Sequence, residues 1–179
     1  ITLGMRKILF ASIVLIWTAC ATPAAKNINF VNLVKSHPYT VVMFIAPDCP
    51  LCNTLAKPYS ELSKAYPEVQ FLAVHSGKNY EAMELNMFAT ENGFTPSIFR
   101  DLDCAVAHQL EATVTPEFFL LDSSQKILYR GMMDDRILEL GRYKQKWSEF
   151  YLKDAIENTL AGNIINPKVT EPVGCVLEY

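Results

Sequence analysis

The stretch YTVVMFIA (39–46) constrains the fold more than any other part of the chain. It is a nearly continuous β-branched, aromatic and aliphatic run, the pattern of a strand buried on both faces. Such a strand needs packed layers above and below it. The flanking sequence supplies them. Before it, INFVNLVKSHP (28–38) predicts a short amphipathic helix with Phe30, Leu33 and Val34 at helical spacing. After it, Pro47 and Asp48 end the strand. Leu51, Leu55, Tyr59, Leu62 and Tyr66 then predict a helix over 49–66, kinked at Pro58.

The alternation repeats. EVQFLAV (68–74) reads as a second buried strand, and YEAMELNMFATENG (80–93) as a helix closed by Gly93. PSIFRD (96–101) follows as a short strand and CAVAHQLEA (104–112) as a short helix. EFFLLD (117–122) and KILYRG (126–131), joined by SSQ, have the spacing of a hairpin. WSEFYLKDAIENTLAG (147–162) is the last helix. This order predicts an α/β fold with a mixed sheet covered by helices on both faces.

A chain of 179 residues suggests one domain with extensions. A domain of about 150 residues buries roughly 70% of its unfolded surface, so the five cysteines are not needed as staples. The first has a different explanation. Met5, Arg6 and Lys7 precede ILFASIVLIW and then TAC, the order of a charged, an apolar and a small-residue region in an export signal. The apolar part is shorter than the about 20 residues that span a bilayer. Because the segment ends on Cys20, it resembles a bacterial lipoprotein signal, in which Cys20 would be lipidated and become the first mature residue. Trp17 departs from the small aliphatic residue usual three before that cysteine, and a plain cleaved export signal is the alternative. Residues 1–4 precede the plausible start at Met5. The expected organisation is a signal peptide over 1–19, a tether over 20–29, a domain over 30–165 and a C-terminal tail over 166–179. The expected location is the periplasm or cell envelope, with membrane attachment through the lipid.

Without residues 1–19 the chain has 14 basic residues (16 less Arg6 and Lys7) against 19 acidic ones, a net charge of −5. No basic stripe appears, so phosphate backbones would be repelled and nucleic acid is not an expected partner. Export also bears on the remaining thiols, because outside the cytoplasm a pair can oxidise and stay oxidised.

FIAPDCPLCN (44–53) places Cys49 and Cys52 where the strand passes into a helix. A Cys-x-x-C pair alone serves a metal clip, a static disulfide or a redox centre. At a helix start, unpaired N–H groups and the helix dipole favour a thiolate. An ordinary thiol of pKa near 8.5 is only about 3% ionised at pH 7, so that help matters. Pro50 suits the first turn, where its missing N–H has no partner to lose. A structural zinc site needs four ligands, and neither a second Cys-x-x-C nor a His-x-x-x-H is present. His37, His75 and His108 are scattered singles, and no metal is expected. The apolar residues nearby, Phe44, Leu51 and Phe118, read as core.

Taken with VTPEFFLLD (114–122), ILYRGMMDDR (127–136) and VGCVLEY (173–179), the FIAPDCPLC segment resembles the redoxin-domain (AhpC/TSA-like) proteins of the thioredoxin-like superfamily, exported bacterial members included. The resemblance covers residues 30–179. It implies a thioredoxin-like fold, with a central mixed β-sheet flanked by helices on both faces. It implies a thiol-disulfide oxidoreductase without cofactor, a monomer whose partners are protein thiols and disulfides of the cell envelope. Cys49 would be the exposed nucleophile and Cys52 the resolving thiol. Pro116 would be a cis-proline facing the pair, with the backbone of Thr115 turned to hydrogen-bond an incoming peptide. Asp48, directly before Cys49, would oppose thiolate formation if the two side chains approach.

Two other activities occur on the same scaffold. Peroxidases of the superfamily carry Pro-x-x-x-Thr-x-x-Cys, but Val42 and Ala46 stand at those positions here. Copper carriers use two cysteines and a histidine, usually with one more residue between the cysteines, and soft thiolates would still take Cu(I) when reduced. Cys104 and Cys175 admit a bland reading, as a small buried residue and a tail thiol. They also admit a second disulfide or a relay to the active pair.

Overall fold

The structure is a computed structural model and describes residues 29–177; Cys20, the signal segment and nearly all of the tether lie outside these. Five strands form one sheet in the order β3-β2-β1-β5-β6, where β1 is Tyr39–Phe44, β2 Gln70–Ser76, β3 Ser97–Asp101, β5 Glu117–Asp122 and β6 Ile127–Gly131. β1 runs parallel to β2 and antiparallel to β5, so the sheet is mixed. β1 is central, and all of its residues after Tyr39 are buried, which accounts for its unbroken apolar sequence.

The pleat divides the core in two. Val41 and Met43 of β1 and Phe118 and Leu120 of β5 point to one face. They pack there with α2 (Pro50–Ala65), α3 (Ala82–Glu91) and α5 (Tyr151–Leu160). Val42, Phe44, Phe119 and Leu121 point to the other, towards α1 (Phe30–Lys35) and α4 (Ala105–Leu110). The buried hydroxyl of Tyr59 on α2 donates to the carbonyls of Val41 and Leu72, at 3.1 and 2.8 Å, pinning this helix onto the sheet. Pro58 lies inside α2, as the sequence predicts.

Helix ends follow local chemistry. Glu81 and Glu84 form a capping box at the start of α3, and Gly93, at φ +61°, follows its end. Asp101 caps α4 by accepting from the N–H groups of Val106 and Ala107 at 3.1 and 3.0 Å. The last helix begins at Tyr151, four residues later than the spacing predicts. The reason is Asp135, whose carboxylate takes the N–H groups of Ser148 and Glu149, so the helix starts only after them. Two small pairings are also absent from the sequence reading: β7 (Ile137–Glu139) with β8 (Arg142–Tyr143), and β4 (Val114–Thr115) with β9 (Cys175–Val176).

Candidate active site

β1 delivers the chain to the N-terminus of α2, and Cys49 is the cap residue there, with extended backbone (φ −78°, ψ 115°) and Pro50 next to it. Its N–H donates to the Ala46 carbonyl at 3.1 Å and its carbonyl accepts from Asn53 at 3.2 Å. The sulfur makes no capping bond to the helix. It faces instead the Thr115 carbonyl at 3.0 Å and the sulfur of Cys175 at 2.8 Å. Cys52 lies one turn inside α2, fully buried.

These contacts push the thiols apart in acidity. The Cys52 thiol, and then the Cys175 thiol and both backbone N–H groups, favour charge on Cys49 and lower its pKa to about 5 against the opposing effect of burial. Burial, reinforced by the Cys49 sulfur, holds Cys52 well above the ordinary thiol value. Burial and the same neighbour push Cys175 up to about 11. One thiolate with two proton-bearing thiols around it is the resulting arrangement. The Asp48 charge acts on the neighbouring groups, helping to hold the protons of Cys175 and Tyr80.

The Thr115–Pro116 peptide bond is cis, and Pro116 stands directly between β4 and β5. A buried ion pair fixes this loop. The fully buried Glu117 carboxylate accepts from Arg130 Nη2 at 2.6 Å and Nε at 3.2 Å, and from the Thr113 N–H at 2.8 Å. Arg130 also donates to the Glu111 carbonyl at 2.9 Å. The Thr-Pro-Glu and Tyr-Arg-Gly motifs therefore meet in space and hold the loop opposite Cys49. The paired aspartates are structural as well: Asp134 binds Arg136, and Asp135 binds Lys144.

The structure brings Cys49, Cys52, Thr115 and Pro116 together, but Cys49 is not the exposed residue that the resemblance implies. It is 1% exposed, because β9 lies across it and occupies the Thr115 edge that the resemblance leaves for a peptide. Cys175 is the residue the sequence reading did not place at the site. Its one signal was the Gly-Cys pair in VGCVLEY. Cys104 packs against the other core cluster. His75, buried beneath the site, bonds the Ile45 carbonyl through Nδ1 at 3.2 Å. Among the described residues, no group of three or more His, Cys, Asp or Glu side chains is arranged to hold a metal ion.

A family model described as "AhpC/TSA family" matches residues 19–130. The chain belongs to the AhpC/TSA family. A comparison with curated proteins found no match. Among solved structures, this AhpC/TSA chain is similar to an uncharacterized conserved protein from Geobacillus kaustophilus, at 27% identity and TM-score 0.72, covering 82% of this chain and 79% of that one. It is also similar to a hypothetical protein from Sinorhizobium meliloti, at 21% identity and TM-score 0.71, with 82% of each chain covered. A thioredoxin-like protein in its oxidized form matches at 20% identity and TM-score 0.53, over 71% of this chain and 80% of that one. The fold is thioredoxin-like. Family and site together support redox chemistry at thiols.

Proposed function

We propose that the protein is a thiol-disulfide oxidoreductase that exchanges disulfides with proteins of the cell envelope, with Cys49 as nucleophile and Cys52 as resolving thiol. The observation that carries this reading is the Cys49 sulfur itself. It sits at the N-terminus of α2, is drawn towards the thiolate by Cys52 and faces the backbone of Thr115, next to the cis-proline. In a partner's disulfide, the Cys49 thiolate attacks one sulfur and the other leaves with the electron pair and takes up a proton. Cys52 then attacks Cys49 and frees the partner, closing the Cys49–Cys52 disulfide. Position 46, where the peroxidases place a threonine, is an alanine and offers no hydroxyl for a peroxide. The envelope location and the lipid anchor on Cys20 rest on the signal-like segment alone.

One cell-based experiment addresses both halves. A variant lacking both thiols that neighbour Cys49 (Cys52→Ser with Cys175→Ser), expressed in a bacterial envelope with labelled palmitate, is expected to accumulate dithiothreitol-sensitive complexes on a non-reducing gel. Adding Cys49→Ser removes the complexes, and Cys20→Ala removes the label. Complexes that survive loss of Cys49 would remove the catalytic assignment, and label that survives Cys20→Ala would remove the anchor.

A further inference from the structure

The C-terminal stretch returns to the site and is fastened there. Residues 168–170 run beside β6: the Arg130 N–H donates to the Lys168 carbonyl, and the Thr170 N–H donates to the Arg130 carbonyl, both at 3.0 Å. The Thr170 hydroxyl lies 2.7 Å from that of Tyr129 and accepts from the Met132 N–H at 2.8 Å. Gly131, at φ +128°, leaves the space that Thr170 fills; a β-carbon there would collide with it. Beyond this clamp, Cys175 pairs with Thr115 and Val176 with Val114, and the Leu177 N–H donates to the Thr113 carbonyl at 3.0 Å. Gly174 permits the approach, since a β-carbon on it would stand 2.6 Å from the Thr115 oxygen. Held on both sides, β9 brings the Cys175 sulfur to 2.8 Å from that of Cys49, across 126 residues of sequence.

We propose that Cys175 is a third exchange-active thiol, carried on a strand that takes the place of a partner peptide along β4, and that it forms a disulfide with Cys49. This rests on the thiol-exchange reading of Cys49. Of the two thiols beside Cys49, Cys52 is fully buried while Cys175 is partly exposed, so Cys175 is the one that can pass between the site and solvent. A tail thiol with no chemical part would need neither the clamp at Thr170 nor the glycine before it.

The step balances without any further reactant. In a mixed disulfide between Cys49 and a partner, Cys175 loses its proton and attacks the Cys49 sulfur. The Cys49–Cys175 bond forms and the bond to the partner breaks. The partner's sulfur leaves with the electron pair and takes up the proton. From a closed Cys49–Cys52 disulfide, the same attack frees Cys52 instead. While Cys49 is a thiolate, its charge helps hold the proton on Cys175. Once Cys49 is in a disulfide that charge is gone, and the proton is easier to lose. Lifting β9 off β4 opens the Thr115 edge to a partner, so one strand serves as cover and as second resolving arm.

The test is glutathione disulfide added to the reduced full chain, quenched with acid and mapped by mass spectrometry without reduction. In Cys52→Ser, glutathione first joins Cys49 and is then displaced, leaving a Cys49–Cys175 peptide. A linked thiol acts at an effective concentration on the order of millimolar, so Cys52→Ser should retain about tenfold less glutathione than Cys52→Ser with Cys175→Ser. Gly174→Val in the Cys52→Ser background keeps every other thiol but pushes β9 away, and should retain glutathione as the Cys175 variant does. Equal retention in Cys52→Ser with and without Cys175 overturns the proposal and leaves the Cys49 reading standing. No glutathione on Cys49 in any variant overturns both. A Cys49–Cys175 link undiminished by Gly174→Val overturns delivery by the strand.

Discussion

Cys49 is set by its immediate surroundings more than by its helix. The largest influence on the sulfur is the Cys52 thiol, and the Cys175 thiol and the backbone N–H groups of Cys52 and Cys175 act in the same direction. Its folded pKa, about 5, lies below the ordinary 9.0, so between those values the folded protein holds fewer protons than the unfolded chain. The associated stability is complete above the unfolded value and is lost as pH falls through about 5. The thiolate ultraviolet absorbance of the reduced protein is therefore expected to titrate with a midpoint near pH 5, a transition missing in Cys49→Ser. Cys175→Ala should move the midpoint upward, because the side-chain donor at that position is lost. A midpoint at the ordinary thiol value would contradict this account of the sulfur. Cys49 and Cys52 were legible as a pair where a strand ends and a helix starts, while the place of Pro116 came from the family resemblance. Cys175 was not, because its place depends on how the tail returns across the sheet.

At the scale of elements, the loop between α4 and β5 depends on one ion pair. Glu117 is fully buried and Arg130 is half-buried, at 22% exposure. Arg130→Met leaves the Glu117 carboxylate buried with only the Thr113 donors. Breaking a buried pair from one side costs about 3 kcal/mol or more, which urea denaturation should report as a lower midpoint. The exposed Arg142–Glu139 pair of β7 and β8 is the control: its loss should change stability by less than about 1 kcal/mol. Equal effects at the two positions would contradict the anchoring role of Glu117. The strands and most helices were readable from periodicity, since burial on one or two faces dictates their composition. The late start of α5 was not, because Asp135 holds the preceding residues from a distant loop. The short pairings β4–β9 and β7–β8 carry too few residues to show a pattern.

Across the whole molecule, the order of strands, helices and hairpin predicted a covered mixed sheet, and the structure has one. What sequence spacing did not convey is closure. The tail, expected as an extension, runs past β6 to β4 and buries the nucleophile. On the proposed reading, the protein holds its own strand where a partner would bind, and exchange would require that strand to yield. The measurement that tests the central claim most directly is the release of free thiol from a disulfide-bonded peptide mixed with reduced protein. Wild type and Cys104→Ser are expected to release it at equal rates, and Cys49→Ser only at the rate of peptide alone. Release by Cys49→Ser at the wild-type rate would contradict the assignment of Cys49 as the exchanging thiol.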